Sequence, residues 1–324
     1  MSSNESGLDP SIFDSSAVEA DTREFLARFE AATAGAPSAV NTPIPMLREA
    51  RLKGTAVLPA PVRLDSGESH EIPGPAGSIS LRIFRPELSR GGYLHFHGGG
   101  FVMGGPDQQD IMLETIARET GLTVVSAGYR LAPEHRFPAA LDDCIAAAHW
   151  FLGQAGAGAF GGSRHVIGGE SAGAYLAVTT LLRLRDEGHS GAFRAAVLTY
   201  GAFDLSLTPS ARNWGERYAI ISTPILRKYL EVFLPLDIDP TSARVSPLYA
   251  DLSNLPKALF SVGTLDPLLD DSLFMAQRWR AAGNPAELAV YPGGIHAFNA
   301  FPIGIGRRAS QRQFEFMRAA SCGE

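Results

Sequence analysis

The sequence predicts an α/β protein: a central, mostly parallel sheet flanked by helices, with extra helices attached. Two observations predict this. Short apolar segments such as Thr123-Val124-Val125-Ser126-Ala127 alternate with longer helical ones, and strands that are apolar on both sides belong to sheets covered on both faces. In addition, Val166-Ile167-Gly168 runs into Gly169-Glu170-Ser171-Ala172-Gly173 and then into a helical run from Ala174 to Arg185. That is a strand, a tight turn and a helix, with a serine at the apex.

Taken in order, Val18 to Ala32 has an apolar stripe (Val18, Phe25, Leu26, Phe29) and predicts a helix, and residues 44–53 predict a second. Neither carries obvious chemistry, and a lid over a site is one use for their apolar faces. Ile79 to Phe84 partly alternates and Pro86 ends it, as in a half-exposed strand. Tyr93 to Phe96 is a strand entering a glycine loop, Gln108 to Thr120 a helix stopped by Gly121, and Phe137 to Leu152 a further helix. Ala195 to Tyr200 is another strand. Between 203 and 254 the alternation stops; Trp214, Tyr218, Tyr229 and Phe233 lie there, with a helix starting at Thr223-Pro224. The sheet resumes at Ala258 to Val262, followed by a helix over Asp271 to Ala282, a last strand Glu287 to Tyr291 and a last helix from Ile305 to Ala319.

A chain of 324 residues buries a core large enough to need no covalent staples. Its net charge of −6 argues against a nucleic-acid partner. The two cysteines, Cys144 and Cys322, form neither a metal spacing nor a disulfide framework and fit a reducing compartment. Met1 to Asp21 lacks the basic and apolar regions of a secretory signal, and no stretch approaches the ~20 apolar residues of a membrane span. The expectation is a cytoplasmic protein with no membrane partner.

A serine hydroxyl needs a base to become a nucleophile near neutral pH. His296 is the best placed, in Pro292-Gly293-Gly294-Ile295-His296-Ala297-Phe298, read as a glycine loop after the final strand. The imidazole needs a carboxylate to orient it. Asp266 follows a strand through Gly263-Thr264-Leu265; Asp270 and Asp271 are rivals, read as capping the helix that begins there. His97-Gly98-Gly99-Gly100-Phe101 directly follows a strand, and consecutive glycines let backbone N–H groups approach a developing oxyanion. The N–H of Ala172, next to the serine, adds a donor. His95 and His97 alternate about Phe96 and share a face, but no carboxylate or cysteine is near in sequence to complete a metal site; His97 is read as shaping the glycine loop by hydrogen bonding. No metal and no cofactor are expected.

These motifs, with Tyr129-Arg130-Leu131-Ala132-Pro133-Glu134-His135, Phe137-Pro138-Ala139-Ala140 and Asp143, resemble the hormone-sensitive-lipase-like carboxylesterases, the bacterial family IV esterases of the α/β-hydrolase fold. The resemblance spans about residues 90 to 300. It implies Ser171 as nucleophile, His296 as general base and acid, and Asp266 as orienting acid. It implies an oxyanion hole of Gly99, Gly100 and Ala172 with Gly98 in the same loop, His97 and Glu170 in support, and a buried charge network of Arg130, Glu134 and Asp143. It also implies a single domain with a cap drawn from residues 1–60 and 203–254, a small-molecule ester substrate, and homodimers, which are frequent in the family. Glu170 departs from the Asp, or in some members Thr, that precedes the serine, so its partner must sit differently. The implied activity is hydrolysis of short-acyl esters. Alternatives on the same machinery are an amidase, lactonase, carbamate hydrolase or lipase. A non-catalytic small-ligand receptor is a further alternative, although the receptors that resemble this family have lost the histidine that His296 represents.

Overall fold

The computed structural model describes residues 8–35, 39–55 and 57–322. The N-terminal segment forms α1 (Ala20–Thr33) and α2 (Ile44–Lys53). The sheet opens with β1 (Glu68–Gly74), β2 (Gly77–Phe84) and β3 (Gly92–Phe96). Helix and strand then alternate through α3 (Asp110–Thr120), β4 (Thr123–Ala127), α4 (Ala139–Gly156), β5 (Val166–Glu170), α5 (Ala172–Asp186) and β6 (Ala195–Thr199). An insertion carries α6 (Pro209–Asn213) and α7 (Thr223–Phe233), and the chain returns to the sheet with β7 (Lys257–Leu265), α8 (Leu269–Ala281), β8 (Ala286–Ile295) and α9 (Gly304–Cys322).

The eight strands are ordered β1-β2-β4-β3-β5-β6-β7-β8. β2 is antiparallel to both β1 and β4, and every later pairing is parallel. The exchange of β3 and β4 matters for function because it puts β3 beside β5, with Phe96 registered against Gly169. The loops that leave these two strands therefore emerge side by side at the carboxyl edge, where open parallel sheets carry their sites.

Side chains alternate across the sheet. Leu94, Phe96, Val125 and Ile167 join the core under α4, α5 and α8, while Tyr93, Val124, Val166 and Val197 join the one under α3 and α9. Cys144 is a buried thiol within the first of these; Cys322 closes α9, and its side chain lies outside the described residues.

Four sequence expectations need correction. β1 goes unpredicted because Glu68–Gly74 is a polar edge strand whose one buried residue is Ile72. β8 does not stop at Tyr291 but runs through both glycines to Ile295; Gly263 of β7 packs so closely on Gly294 that a Cβ there would lie 2.0 Å from the Gly294 carbonyl oxygen. Asp270 and Asp271 do not cap α8, which has no side-chain cap. The helix begins at Leu269, so both point back to the insertion. The fully buried Asp271 accepts from the N–H groups of Phe203 (2.6 Å) and Asp204 (2.9 Å) and from the Thr208 hydroxyl (2.7 Å), and Asp270 accepts from the N–H of Ser210 (2.8 Å). They root the insertion. Its second helix starts one residue earlier than a Thr223 cap requires: Ser222 is the flanking residue, and Thr223 Oγ1 instead donates to the Ala211 carbonyl at 2.7 Å.

Candidate active site

Ser171 sits between β5 and α5 with φ 56° and ψ −118°, a sparsely populated positive-φ conformation that costs a non-glycine residue roughly 1–3 kcal/mol. Close packing holds it there. A Cβ on Gly169 would lie 2.1 Å from the Phe96 carbonyl oxygen, and one on Gly173 would lie 1.9 Å from it. The two glycines thus let the turn press against the end of β3. The 15-residue α5 directs its N-terminus at Ser171, a favourable setting for negative charge.

The structure brings the three predicted side chains together from the ends of β5, β7 and β8. His296 Nε2 lies 3.0 Å from Ser171 Oγ, and His296 Nδ1 lies 2.9 and 3.1 Å from the two oxygens of Asp266. Asp266 is buried and its Oδ1 also accepts the Leu268 N–H at 2.8 Å, which fixes the carboxylate plane. A carboxylate only accepts, so Nδ1 carries the proton and Nε2 faces the serine as an acceptor. Tyr200, at the end of β6, packs its ring 4.7 Å from the imidazole while its hydroxyl donates to Asn299 Oδ1 at 2.6 Å. Sequence reasoning missed Tyr200; its position at a strand end between the serine and aspartate strands was the available signal.

The glycine loop lies against the serine: a Cβ on Gly98 would be 3.6 Å from Ser171 Cβ. Its peptides are oriented one by one. Tyr129 Oη donates to the His97 carbonyl at 2.7 Å, His97 Nδ1 donates to the Gly98 carbonyl at 2.8 Å, and the N–H groups of Val102 and Met103 both donate to the Gly99 carbonyl at 3.1 Å. In a trans peptide the N–H points opposite to the C=O. Pinning these three carbonyls therefore turns the N–H groups of Gly98, Gly99 and Gly100 the other way. Burial lowers the His97 imidazole to about 4, so it is neutral near pH 7, with its one proton on the nitrogen that donates. Its ring stacks on Tyr129 at 4.2 Å. Ala172 is the first residue of α5, and an N–H at that position has no carbonyl partner within its helix.

Glu170 is buried and bonds His95 Nε2 at 3.0 Å, with Gln109 Nε2 at 3.5 Å; the other ring nitrogen of His95 meets Ser126 Oγ at 3.0 Å. Both nitrogens of His95 are thus engaged in a polar link across β5, β3 and β4, rather than paired with His97. The expected charge network is only half present. Arg130 pairs with Asp143 at 2.9 Å, but Glu134 is half-exposed and pairs with Arg48 of α2. Position explains it: Asp143 lies on α4, facing Arg130, whereas Glu134 is in the loop turned toward the N-terminal segment.

The sequence pattern of the alpha/beta hydrolase fold family matches residues 93–300. An acetyl esterase of Salmonella choleraesuis is 32% identical over 234 residues, which is 70% of this chain and 71% of that protein. An esterase of Pyrobaculum calidifontis superposes with a TM-score of 0.81 at 30% identity, over 93% of this chain and 98% of that one. An ester-hydrolase from the metagenome of Lake Arreo, solved with a derivative of bipyridine phosphonate, superposes with a TM-score of 0.79 at 32% identity, over 94% and 97%. Sequence pattern, curated relatives and solved folds converge, and the chain belongs to the α/β-hydrolase family, among its hormone-sensitive-lipase-like esterases.

Proposed function

We propose that this esterase hydrolyses small, short-acyl carboxylic esters through an acyl-enzyme on Ser171. The carrying observation is the continuous line from Asp266 through His296 to Ser171, at 2.9 and 3.0 Å. Ser171 Oγ attacks the ester carbonyl and passes its proton to His296 Nε2, and Asp266 stabilises the imidazolium through Nδ1–H. The alkoxide that forms is met by the N–H groups of Gly99, Gly100 and Ala172, with Gly98 beside them; each such donor is worth roughly 3 kcal/mol in the transition state. His296 then protonates the leaving alcohol. Water enters, gives its proton to the same nitrogen, attacks the acyl carbon and releases the acid and the free serine. No step calls on a metal or cofactor.

The short-acyl preference draws on the acetyl esterase similarity and on what covers the site. The N-terminal segment and the insertion together form the cap. Phe29 of α1 joins Ala219 of the insertion and Ile295, next to His296, in one buried cluster, and Tyr229 of α7 packs directly on Gly100. Ser171→Ala is expected to lower turnover of p-nitrophenyl acetate by about four or more orders of magnitude; near-normal turnover would sink the assignment. Across p-nitrophenyl esters of increasing length, activity should peak at acetyl to butanoyl, and a maximum at long chains points to a lipase instead.

A further inference from the structure

We infer that Arg48 of α2 is a positioning residue for the glycine loop, so that the N-terminal segment sets the rate of ester hydrolysis as well as covering the site. This rests on the esterase reading above. The loop carries three successive residues in the left-handed region: Gly99 (φ 127°), Gly100 (φ 60°) and Phe101 (φ 65°). Phe101 has a side chain there, and such a conformation persists only where the surroundings over-determine it.

The near side of the loop is held by Tyr129 and His97. Its far side is held from outside the sheet. The Phe101 carbonyl accepts the Ala132 N–H at 2.9 Å. Arg48 then spans the two segments so joined: its Nε donates to the Val102 carbonyl at 2.7 Å and its Nη2 to the Ala132 carbonyl at 2.8 Å. Glu134 takes the guanidinium in a bidentate pair at 2.8 and 2.7 Å and fixes its plane. Donors held in a fixed fork toward three acceptors are what a guanidinium supplies and an ammonium does not, and a charged donor makes each bond stronger than a neutral one.

The connection to chemistry is short. Val102 donates its N–H to the Gly99 carbonyl, the bond that turns the Gly100 N–H away from it. Loosening Val102 therefore tilts the Gly99–Gly100 peptide. Such a tilt weakens contacts made in the transition state more than those made to bound substrate, and it appears in kcat.

The test uses the full chain with Arg48→Ala, Arg48→Lys and Glu134→Gln, read with p-nitrophenyl acetate and with a trifluoromethyl ketone, which adds reversibly to a serine as a tetrahedral alkoxide. Arg48→Ala should lower kcat by about ten- to thirtyfold with KM changed by no more than about twofold, and weaken ketone binding by the same factor as kcat/KM. Arg48→Lys should recover part of the loss and Glu134→Gln should show a smaller loss in the same direction. If Arg48→Ala fails to fold, the other two variants carry the test by the same kcat-against-KM split. A rise in KM at constant kcat, or ketone affinity left unchanged, overturns positioning and leaves only a cover. A wild-type chain that neither hydrolyses the ester nor binds the ketone overturns the esterase reading instead, and this role with it.

Discussion

The serine turn and the glycine loop leave neighbouring strands at the same edge, and both hold residues in positive-φ backbone, yet they are held in different ways. The serine turn is fixed by contact. Gly169 and Gly173 sit where a single methyl group would strike the backbone of Phe96, and the adjacent strand β6 adds one bond, its Thr199 carbonyl accepting the Ser171 N–H at 2.9 Å. The glycine loop is fixed by hydrogen bonds from remote places: Tyr129 beyond β4, Ala132 in the following loop and Arg48 from the N-terminal segment. Steric restraint is all-or-none, whereas polar restraint is graded and shared among several bonds.

Three changes separate these modes. The largest effect belongs to Gly173→Ala. Its Cβ would fall 1.9 Å from the Phe96 carbonyl oxygen, a backbone atom that cannot step aside. A cost above about 4 kcal/mol is expected, visible as loss of soluble folded protein; a variant that melts like the parent would show the turn to be looser than described. Tyr129→Phe is intermediate. It keeps the stacked ring and removes one bond to the His97 carbonyl, so stability should fall by about 1–3 kcal/mol and kcat by about three- to tenfold. If kcat stays constant while the melting temperature drops, the loop does not depend on that bond for its shape.

The smallest change is one of pH. The folded His97 is lowered to about 4 by burial, whereas an unfolded imidazole titrates near ~6.5. The unfolded chain therefore binds the extra proton first. The stability this residue contributes is complete above about 6.5 and is lost as the pH falls through about 4. In melting curves taken between those values, His97→Asn should flatten part of the slope seen in the parent. An unchanged slope would assign the acid sensitivity to other groups.

The same contrast explains what could be read from the chain. The serine turn is local, so Gly169 to Gly173 announced it, and the central strands announced themselves as unbroken apolar runs. The order Ser171, Asp266, His296 was legible because each residue follows a strand. The helices of the N-terminal segment were legible as helices, but Arg48 was not legible as anything more than a polar position on α2. Its partners Val102, Ala132 and Glu134 lie far along the chain, and no periodicity encodes them. Glu134 was assigned to the wrong arginine for that reason, and Asp271 to a cap, because a carboxylate at a helix start looks alike whether it turns to its own helix or to a distant loop.

The strand order also has a consequence for how the protein is made. Ser171, the loop that faces it and most of the sheet lie in the first two thirds of the chain, but His296 follows the last strand, and β8 is completed on its outer face by α9, whose Ile305, Ala309 and Met317 lie in the core beneath it. Chains emerge from the ribosome amino end first. A growing polypeptide can therefore assemble the turn and the loop while its serine still has no imidazole to take its proton. On the roles proposed here, esterase activity waits until β8 and the histidine that follows it have been made, and any product cut short before residue 296 is inert by construction.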